Sequence, residues 1–173
     1  MHKGIAMEAI HLTGRSGHSS DPALGVSALD GMHQALDELI TWRSELQARY
    51  HNPLFAVEVP TVNLGHIHGG DNPNRICAEC ELHFDIRPLP GMDLDELRGE
   101  IERRIGARLQ GSGLTFERVS LFEGTPAMET QADSAIVRAT EKLTGYTAGA
   151  VAFGTEGPYM NQMGMQTVIL GPG

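Results

Sequence analysis

Apolar residues recur at two spacings along the first 124 residues of the chain. Alternation of apolar and polar positions is typical of a strand with one buried face, and recurrence every three to four positions is typical of a helix. The spacing predicts six elements in the order βαββαβ, which are strand 5–13, helix 26–46, strand 59–68, strand 78–87, helix 93–109 and strand 114–121. This order predicts a ferredoxin-like α+β domain, in which both helices cover one side of an antiparallel sheet.

Capping residues predict where the two helices begin. Asp21-Pro22 is expected to open the first helix, because proline is tolerated in the first helical turn. Asp93 is followed three residues later by Glu96, which is the capping-box pattern for the start of the second helix. The apolar stripe of each helix is then expected to face the sheet.

The pattern changes in the last third of the chain, where a second structural unit is expected. A helix is predicted over about 133–143, followed by a short apolar strand, a glycine-rich turn at 153–158, a brief helix and a strand over 167–170. Two strands are too few for an α/β sheet that is covered on both faces. We therefore expect one domain over 5–124 and an incomplete α/β segment of another over 125–173.

Composition and charge exclude several classes of partner. The chain has 173 residues, of which 13 are Lys or Arg and 22 are Asp or Glu, and its net charge is −9. A phosphate backbone attracts clustered basic residues, so nucleic acid is not expected as a partner. No apolar stretch approaches the length of a membrane span, and the first residues lack the apolar core of a secretion signal. These features predict a cytoplasmic protein without a membrane partner.

The two cysteines, Cys77 and Cys80, have the spacing of a CxxC motif. A redox pair or half of a zinc site is one interpretation, but the sequence holds no second CxxC. Alternation from Cys80 to Arg87 predicts a strand, and residues three apart on a strand point to opposite faces. The two sulfur atoms are therefore expected to diverge, which favours a structural role.

His18 is the first candidate for chemistry. It lies among small residues in the segment 14–22, between a predicted strand and a predicted helix. Loops of this kind often hold out functional side chains from a rigid scaffold, and glycine allows the necessary turns. The alternative is an exposed turn whose serines and aspartate only cap the next helix.

His66 and His68 form an HxH pair on one face of a predicted strand. Such a pair suggests metal binding, but the sequence does not place a matching acid or a third imidazole beside it. A metal role is therefore not assigned to these two histidines.

Five segments of the chain carry a family resemblance, and they are 14–22, 63–71, 74–77, 85–92 and 170–173. Together they resemble the acetylornithine deacetylases, and the resemblance spans nearly the whole chain. Those enzymes belong to a family of two-metal zinc hydrolases that also includes succinyl-diaminopimelate desuccinylase, carboxypeptidases and aminoacylases.

The resemblance implies a domain organisation and a reaction. Subunits of the family have an α/β catalytic domain that holds the metals, interrupted by a ferredoxin-like domain that mediates dimerisation and covers the active site. Residues 5–124 resemble that inserted domain, and residues 125–173 resemble the catalytic domain where it resumes. The implied protein is a homodimer that hydrolyses a small N-acyl amino acid, N2-acetyl-L-ornithine, to ornithine and acetate in arginine synthesis.

The metal ligands of the family have no counterpart among these 173 residues. The resemblance therefore implies zinc or cobalt in a longer parent enzyme, no metal on this chain and no activity of this chain alone. Met1 precedes residues that resemble interior sequence of the family, so the chain is expected to be a fragment.

The resemblance also implies roles for five residues. His18 matches a histidine that stabilises the tetrahedral oxyanion. In several members of the family, this histidine reaches into the active site of the partner subunit. Arg87 matches an arginine that pairs with the α-carboxylate of the substrate, and Asn74 matches an asparagine that helps to bind the same end. Gly154 and Thr155 match a Gly-Thr turn that lines the substrate pocket.

Each assignment has an alternative. Arg87 could pair with Asp85 or Glu81 on the strand surface, and Asn74 could be a turn residue. The parent enzyme could be another N-acyl amino acid deacylase or the desuccinylase. From a different class, the chain could be a metal-free dimerisation or small-molecule binding module, because ferredoxin-like domains host many functions.

Overall fold

The computed structural model of the protein describes residues 1–171. Its strands and helices, in chain order, are β1 (Ile5–Thr13), α1 (Ala28–Arg49), β2 (Thr61–Gly69), β3 (Glu79–Arg87), α2 (Leu94–Arg108), β4 (Thr115–Thr125), α3 (Ala135–Thr144) and α4 (Gly157–Gln162). Within that part of the chain, every helix is too short or too polar to cross a membrane.

The four strands form one antiparallel sheet in the order β2-β3-β1-β4. Helices α1 and α2 pack on one face of this sheet, and a single apolar core lies between them. Trp42 from α1, Ile10 from β1 and Ile101 from α2 are each about 1% exposed or less. This is the ferredoxin-like arrangement that the order of elements predicts. The opposite face of the sheet is called the open face below.

The first helix begins later than the sequence predicts. Asp21 accepts a backbone hydrogen bond and opens only a 3-10 turn, Pro22–Leu24. Gly25 is extended, and α1 begins after Ser27, whose hydroxyl accepts from the N–H of Asp30 at 3.2 Å. The prediction was wrong because an aspartate followed by proline is as suitable for a 3-10 turn as for an α-helix.

The start of α2 is confirmed. The side chain of Asp93 accepts hydrogen bonds from the backbone N–H groups of Asp95 at 2.8 Å and Glu96 at 3.0 Å. These bonds satisfy two of the donors that a helix leaves unpaired in its first turn. The buried residues of α2 follow the predicted apolar stripe, and they are Leu97, Ile101 and Ile105.

The segment after β4 agrees with the sequence in its helices but not in its strands. Helices α3 and α4 are present, whereas residues 167–170 form no strand with any described residue. The backbone of a strand must pair with a neighbouring strand, and the described residues offer none at this position. The prediction of a terminal strand over 167–170 was therefore wrong. Pro172 and Gly173, the last residues of the family resemblance, lie outside the described residues.

The first residues of the chain lie against this last segment. His2 forms one antiparallel bridge with Met128 and one parallel bridge with Val151. The short strand that the sequence predicts near Val151 is reduced to this single bridge. The start of β1 therefore lies beside the end of β4. The backbone N–H of Gly4 also donates to the carbonyl of Pro88 at 2.9 Å.

The cysteines do not diverge as the alternation predicts. β3 begins at Glu79, so Cys77 precedes the strand and the rule of alternating faces does not apply to it. Both cysteines are free, and both are buried in the same core. The thiol of Cys77 donates to the carbonyl of Glu79 at 3.0 Å, and burial raises the pKa of Cys80.

Candidate functional site

The His18 loop is bound to the fold by its backbone. Arg15 and Val26 exchange two backbone hydrogen bonds of 3.0 and 2.8 Å, which close the loop. Gly14 makes this approach possible, because a Cβ at that position would lie 2.1 Å from the carbonyl oxygen of Val26. His18 is therefore an exposed side chain on a loop of defined path.

The imidazole of His18 is held in one tautomer by Ser20. Its Nδ1 lies 3.2 Å from the backbone N–H of Ser20, which can only donate, so Nδ1 is the acceptor. The hydroxyl of Ser20 lies 2.8 Å from the same nitrogen. The neutral ring then carries its proton on Nε2, which makes Nε2 a hydrogen-bond donor at the exposed end of the side chain.

Asn74 lies beside the His18 loop, although it follows Ser19 by 55 positions in the sequence. The N–H of Ser19 donates to the carbonyl of Asn74 at 3.0 Å, and the N–H of Ile76 donates to the carbonyl of Gly17 at 2.8 Å. The backbone of Asn74 donates to the side chain of Asn72 at 3.1 Å, which is the turn geometry of the alternative interpretation. The exposed amide of Asn74 and the imidazole thus occupy one end of the molecule.

An open groove of about 850 Å³ lies next to these loops. Its walls include Ser19 from the His18 loop, Leu29 from α1, and Asp71 and Ile76 from the Asn74 loop. None of the five residues assigned from the resemblance lines it. The groove flanks the candidate residues but is not formed by them.

Arg87 lies at the far end of β3, where its guanidinium is fixed by one carboxylate. Nε donates to Oδ2 of Asp85 at 2.7 Å, and the side chain of Arg87 is 31% exposed. Arg87 therefore forms the pair with Asp85 on the strand surface that was the alternative interpretation of this residue. Within residues 1–171 the guanidinium makes this one side-chain contact, so Nη1 and Nη2 remain as donors for an anionic group.

Gly154 and Thr155 lie at the same end of the sheet as Arg87. A Cβ on Gly154 would lie 2.8 Å from Cδ1 of Ile5, the first residue of β1. The hydroxyl of Thr155 lies 3.0 Å from Nε2 of His2 and accepts from the N–H of Gly157 at 3.1 Å. Thr155 is therefore part of a hydrogen-bond network that fixes the turn.

The sheet separates the candidate residues into two groups. β3 contains nine residues, and at about 3.4 Å for each step it spans about 27 Å. His18 and Asn74 lie beyond its first residue, because Gly14 bonds to the carbonyl of Ala78. Arg87 is its last residue. An amino-acid ligand is shorter than this separation, so one chain cannot bring both groups to the same small molecule.

Sequence reasoning missed two neighbours of His66. These neighbours are Glu81 and His83, on the open face. One ligand atom from each of them and a ring nitrogen of His66 all lie within 4.8 Å of one another. Within residues 1–171 this is the one group of three potential metal ligands, and the five residues assigned from the resemblance are not members of it. A β-bulge in β2 creates the arrangement, and the HxH motif was its only signal in the sequence.

Comparison with known proteins gives the same fold and a family. The model of the peptidase dimerisation domain matches residues 1–112. The acetylornithine deacetylase of Edwardsiella ictaluri (strain 93-146) is 50% identical over 175 residues, which cover 99% of this chain and 45% of that protein. The acetylornithine deacetylase of Yersinia pestis is 47% identical, with 99% of this chain and 44% of that protein covered. The chain spans about half the length of the curated relatives it matches.

Solved structures of hydrolases share the fold at low sequence identity. A tripeptidase from Staphylococcus aureus has a TM-score of 0.63 and 19% identity, covering 98% of this chain and 43% of its own. A hydantoinase/carbamoylase family amidase from Burkholderia ambifaria has a TM-score of 0.64 and 14% identity, covering 89% of this chain and 36% of its own. With residues 1–112 matched by the family model, the chain belongs to the peptidase dimerisation domain family.

Proposed function

We propose that the chain is the dimerisation domain and an adjoining catalytic piece of an enzyme that hydrolyses N2-acetyl-L-ornithine to ornithine and acetate. The identity of 50% to a named acetylornithine deacetylase over 99% of the chain supports this substrate. The observation that carries the proposal is the separation of His18 and Asn74 from Arg87, Gly154 and Thr155 by the length of β3.

The two groups of residues can serve one substrate if the active site is composite, that is, formed by residues of two subunits. In a twofold dimer each subunit offers the same surfaces, so the His18 end of one subunit can lie at the Arg87 end of its partner. Two equivalent sites then form for each dimer, and neither is complete in one chain. Membership of a dimerisation domain family supports self-association through this domain.

In the proposed site, His18 acts on the oxygen of the scissile amide. The Nε2–H that Ser20 leaves exposed is a donor for the negative charge that develops on this oxygen in the tetrahedral transition state. A fixed donor of this kind is worth about 3–4 kcal/mol in other enzymes. The carboxamide of Asn74 lies beside it and offers a second N–H donor to the substrate.

Arg87 binds the α-carboxylate of the substrate in the proposed site. Asp85 holds Nε, so the two free Nη groups present a fork whose spacing matches two carboxylate oxygens. The Gly154-Thr155 turn lies at the same end and supplies a wall of the pocket. The oriented guanidinium of Arg87 would favour N-acyl amino acids, which carry an α-carboxylate, over neutral amides, which do not.

The remaining parts of the proposal concern the longer protein. Residues 5–124 form the dimerisation domain, and residues 125–173 belong to the catalytic domain, beside which Met1 and His2 also lie. We assign the zinc or cobalt of the family to the rest of that domain, because the resemblance places no metal ligand of the family on this chain. The two free thiols suit the reducing cytoplasm, which we keep as the expected compartment.

A subunit-mixing experiment tests the composite site. His18→Ala and Arg87→Ala variants of the full-length enzyme are prepared, unfolded or dissociated together and reassembled, and acetate release from N2-acetyl-L-ornithine is measured with zinc or cobalt added. Each variant alone is expected to lose most activity. The mixture is expected to regain about a quarter of wild-type activity, because half of randomly mixed dimers are mixed and each holds one intact site.

The matched control mixes His18→Ala with Asn74→Ala, which lie at the same end. Every site in that mixture carries at least one defect, so activity should not return. Absence of recovery in the His18 and Arg87 mixture would overturn the composite site. Recovery with a different N-acyl amino acid, and none with N2-acetyl-L-ornithine, would instead retain the site and replace the substrate.

A further inference from the structure

The open face of the sheet carries four histidines around one carboxylate. Glu81 projects from β3, and side chains from three strands approach it. Nε2 of His66 lies 3.5 Å from Oε1 of Glu81, Nε2 of His83 lies 3.6 Å from Oε2, and Nδ1 of His11 lies 3.7 Å from Oε2. His68 is the cross-strand partner of Glu81 in the register of β2 and β3.

A β-bulge at Gly65 brings His66 to this face. Leu64 pairs with Phe84 and His66 pairs with His83, so one extra residue of β2 lies between two successive positions of β3. Without the bulge, the even positions of β2 would share the face of Val62, which is buried beneath the helices. The bulge reverses this alternation.

The distances from Glu81 to His66 and His83 are slightly longer than those between ligands of a common ion. They exceed the 2.7–3.2 Å of an N–H···O hydrogen bond, so the imidazoles do not bond directly to Glu81. In a tetrahedral zinc site, metal–ligand bonds of 2.0–2.1 Å place neighbouring ligand atoms about 3.3 Å apart. The rings of His66 and His83 have centroids 4.8 Å apart and are tilted by 40°, so small side-chain rotations converge their nitrogens.

We propose that His66, Glu81 and His83 form a binding site for a divalent transition-metal cation, with zinc as its natural occupant. Two imidazoles and one carboxylate are a donor set that zinc, nickel and copper prefer, and that calcium and magnesium do not. His11 lies on β1, on the other side of Glu81 from His66. The site is independent of the proposed deacetylation, because its ligands lie on the sheet surface and not among the substrate residues.

The accessibility of the ligands suits reversible binding. The side chains of His66, His83 and Glu81 are 52%, 34% and 33% exposed. A cation can therefore reach them from solvent without opening the core, and a water molecule can complete the coordination. The net charge of −9 favours the approach of a cation to this protein.

Metal titration of the 173-residue chain tests the site. Zinc binding is measured by calorimetry near neutral pH, where protons compete little for imidazole nitrogen, and cobalt is used as an optical probe of tetrahedral coordination. One equivalent is expected. His66→Ala and His83→Ala should each weaken binding by at least about tenfold. Magnesium should not bind.

His51→Ala is the matched control, because His51 also contacts a single carboxylate, that of Glu58, but belongs to no group of three ligands within residues 1–171. Its affinity for zinc should equal that of the wild type. If an alanine variant does not fold, the imidazole NMR signals of the wild-type chain supply the same test. Zinc should shift and broaden those of His66 and His83. Absence of zinc binding, or equal binding by His83→Ala, would overturn the proposal.

Discussion

The backbone N–H of Ser19 donates to the carbonyl oxygen of Asn74 at 3.0 Å. This bond joins the two loops that carry the exposed imidazole and the exposed carboxamide at one end of the sheet. The His18 loop is itself closed by a close backbone approach at Gly14, which can be tested by adding a single methyl group.

Gly14→Ala should destabilise the protein and displace the His18 loop. The added Cβ would lie 2.1 Å from the carbonyl oxygen of Val26, which is backbone and cannot rotate away. Overpacking of this kind costs about 1–3 kcal/mol, measured as the free energy of unfolding in urea. Gly106→Ala in α2 is the control, because nothing lies within 4 Å of the added Cβ. It should stabilise the protein by about 0.5–1 kcal/mol, and a comparable loss in both variants would contradict the explanation.

Glu8→Ala should be strongly destabilising. The carboxylate of Glu8 is fully buried and accepts from Nε of Arg98 at 2.8 Å and Nη1 of Arg118 at 2.5 Å. Removing it leaves two largely buried guanidinium groups without this partner, at a cost of about 3 kcal/mol in the free energy of unfolding. Glu117→Ala, on the exposed side of β4, should change stability by no more than about 0.5 kcal/mol. If Glu8→Ala left the free energy of unfolding unchanged, the ion pairs of Glu8 with Arg98 and Arg118 would contribute nothing to stability.

Stability should fall in mild acid partly because of His2. Burial lowers the pKa of this imidazole below its ordinary 6.5, and the nearby N-terminal charge lowers it further against an opposing hydrogen bond to the carbonyl of Lys3. The unfolded chain then binds a proton that the folded chain refuses. The contribution of His2 is thus complete above about pH 6.5 and is lost as the pH falls towards the lowered pKa.

The comparison that isolates this effect is His2→Gln. Its free energy of unfolding should change less than that of the wild type between about pH 7.5 and about pH 5.5, because one proton-linked group has been removed. All other ionisable groups are common to both proteins, so their contributions cancel in the difference. Parallel pH profiles for the two proteins would contradict the assignment.

Asp85→Asn should weaken substrate binding in the full-length enzyme without removing a group that touches the substrate. The carboxylate of Asp85 fixes Nε of Arg87 at 2.7 Å, and an amide holds the guanidinium less strongly. We expect KM to rise about tenfold while kcat changes little, as for loss of an interaction made equally in ground and transition states. Asp95→Asn, which changes an exposed carboxylate that pairs with Arg98 on α2, should leave KM unchanged. A fall in kcat alone would exclude the positioning role.

The sequence was sufficient for those features that depend on local contacts. The alternation over β3 and the helical spacing over α2 fix which side chains face the core, because a single face of each of these two elements is apolar. The Asp93 cap needs only the next three residues. The roles of His18 and Arg87 were predicted from short motifs through the resemblance, and they remain predictions.

The tertiary structure decided what depends on register and on distance through space. A single extra residue at Gly65 turns His66 towards Glu81 and His83, and no pattern in the sequence reveals which strand lies alongside. The same holds for residues 167–170, where apolar composition predicts a strand but no described residue pairs with it. The sequence alone, through its family resemblance, predicted which residues carry the chemistry. Only the sheet, about 27 Å from end to end, determined that His18 and Arg87 cannot serve one site in one chain.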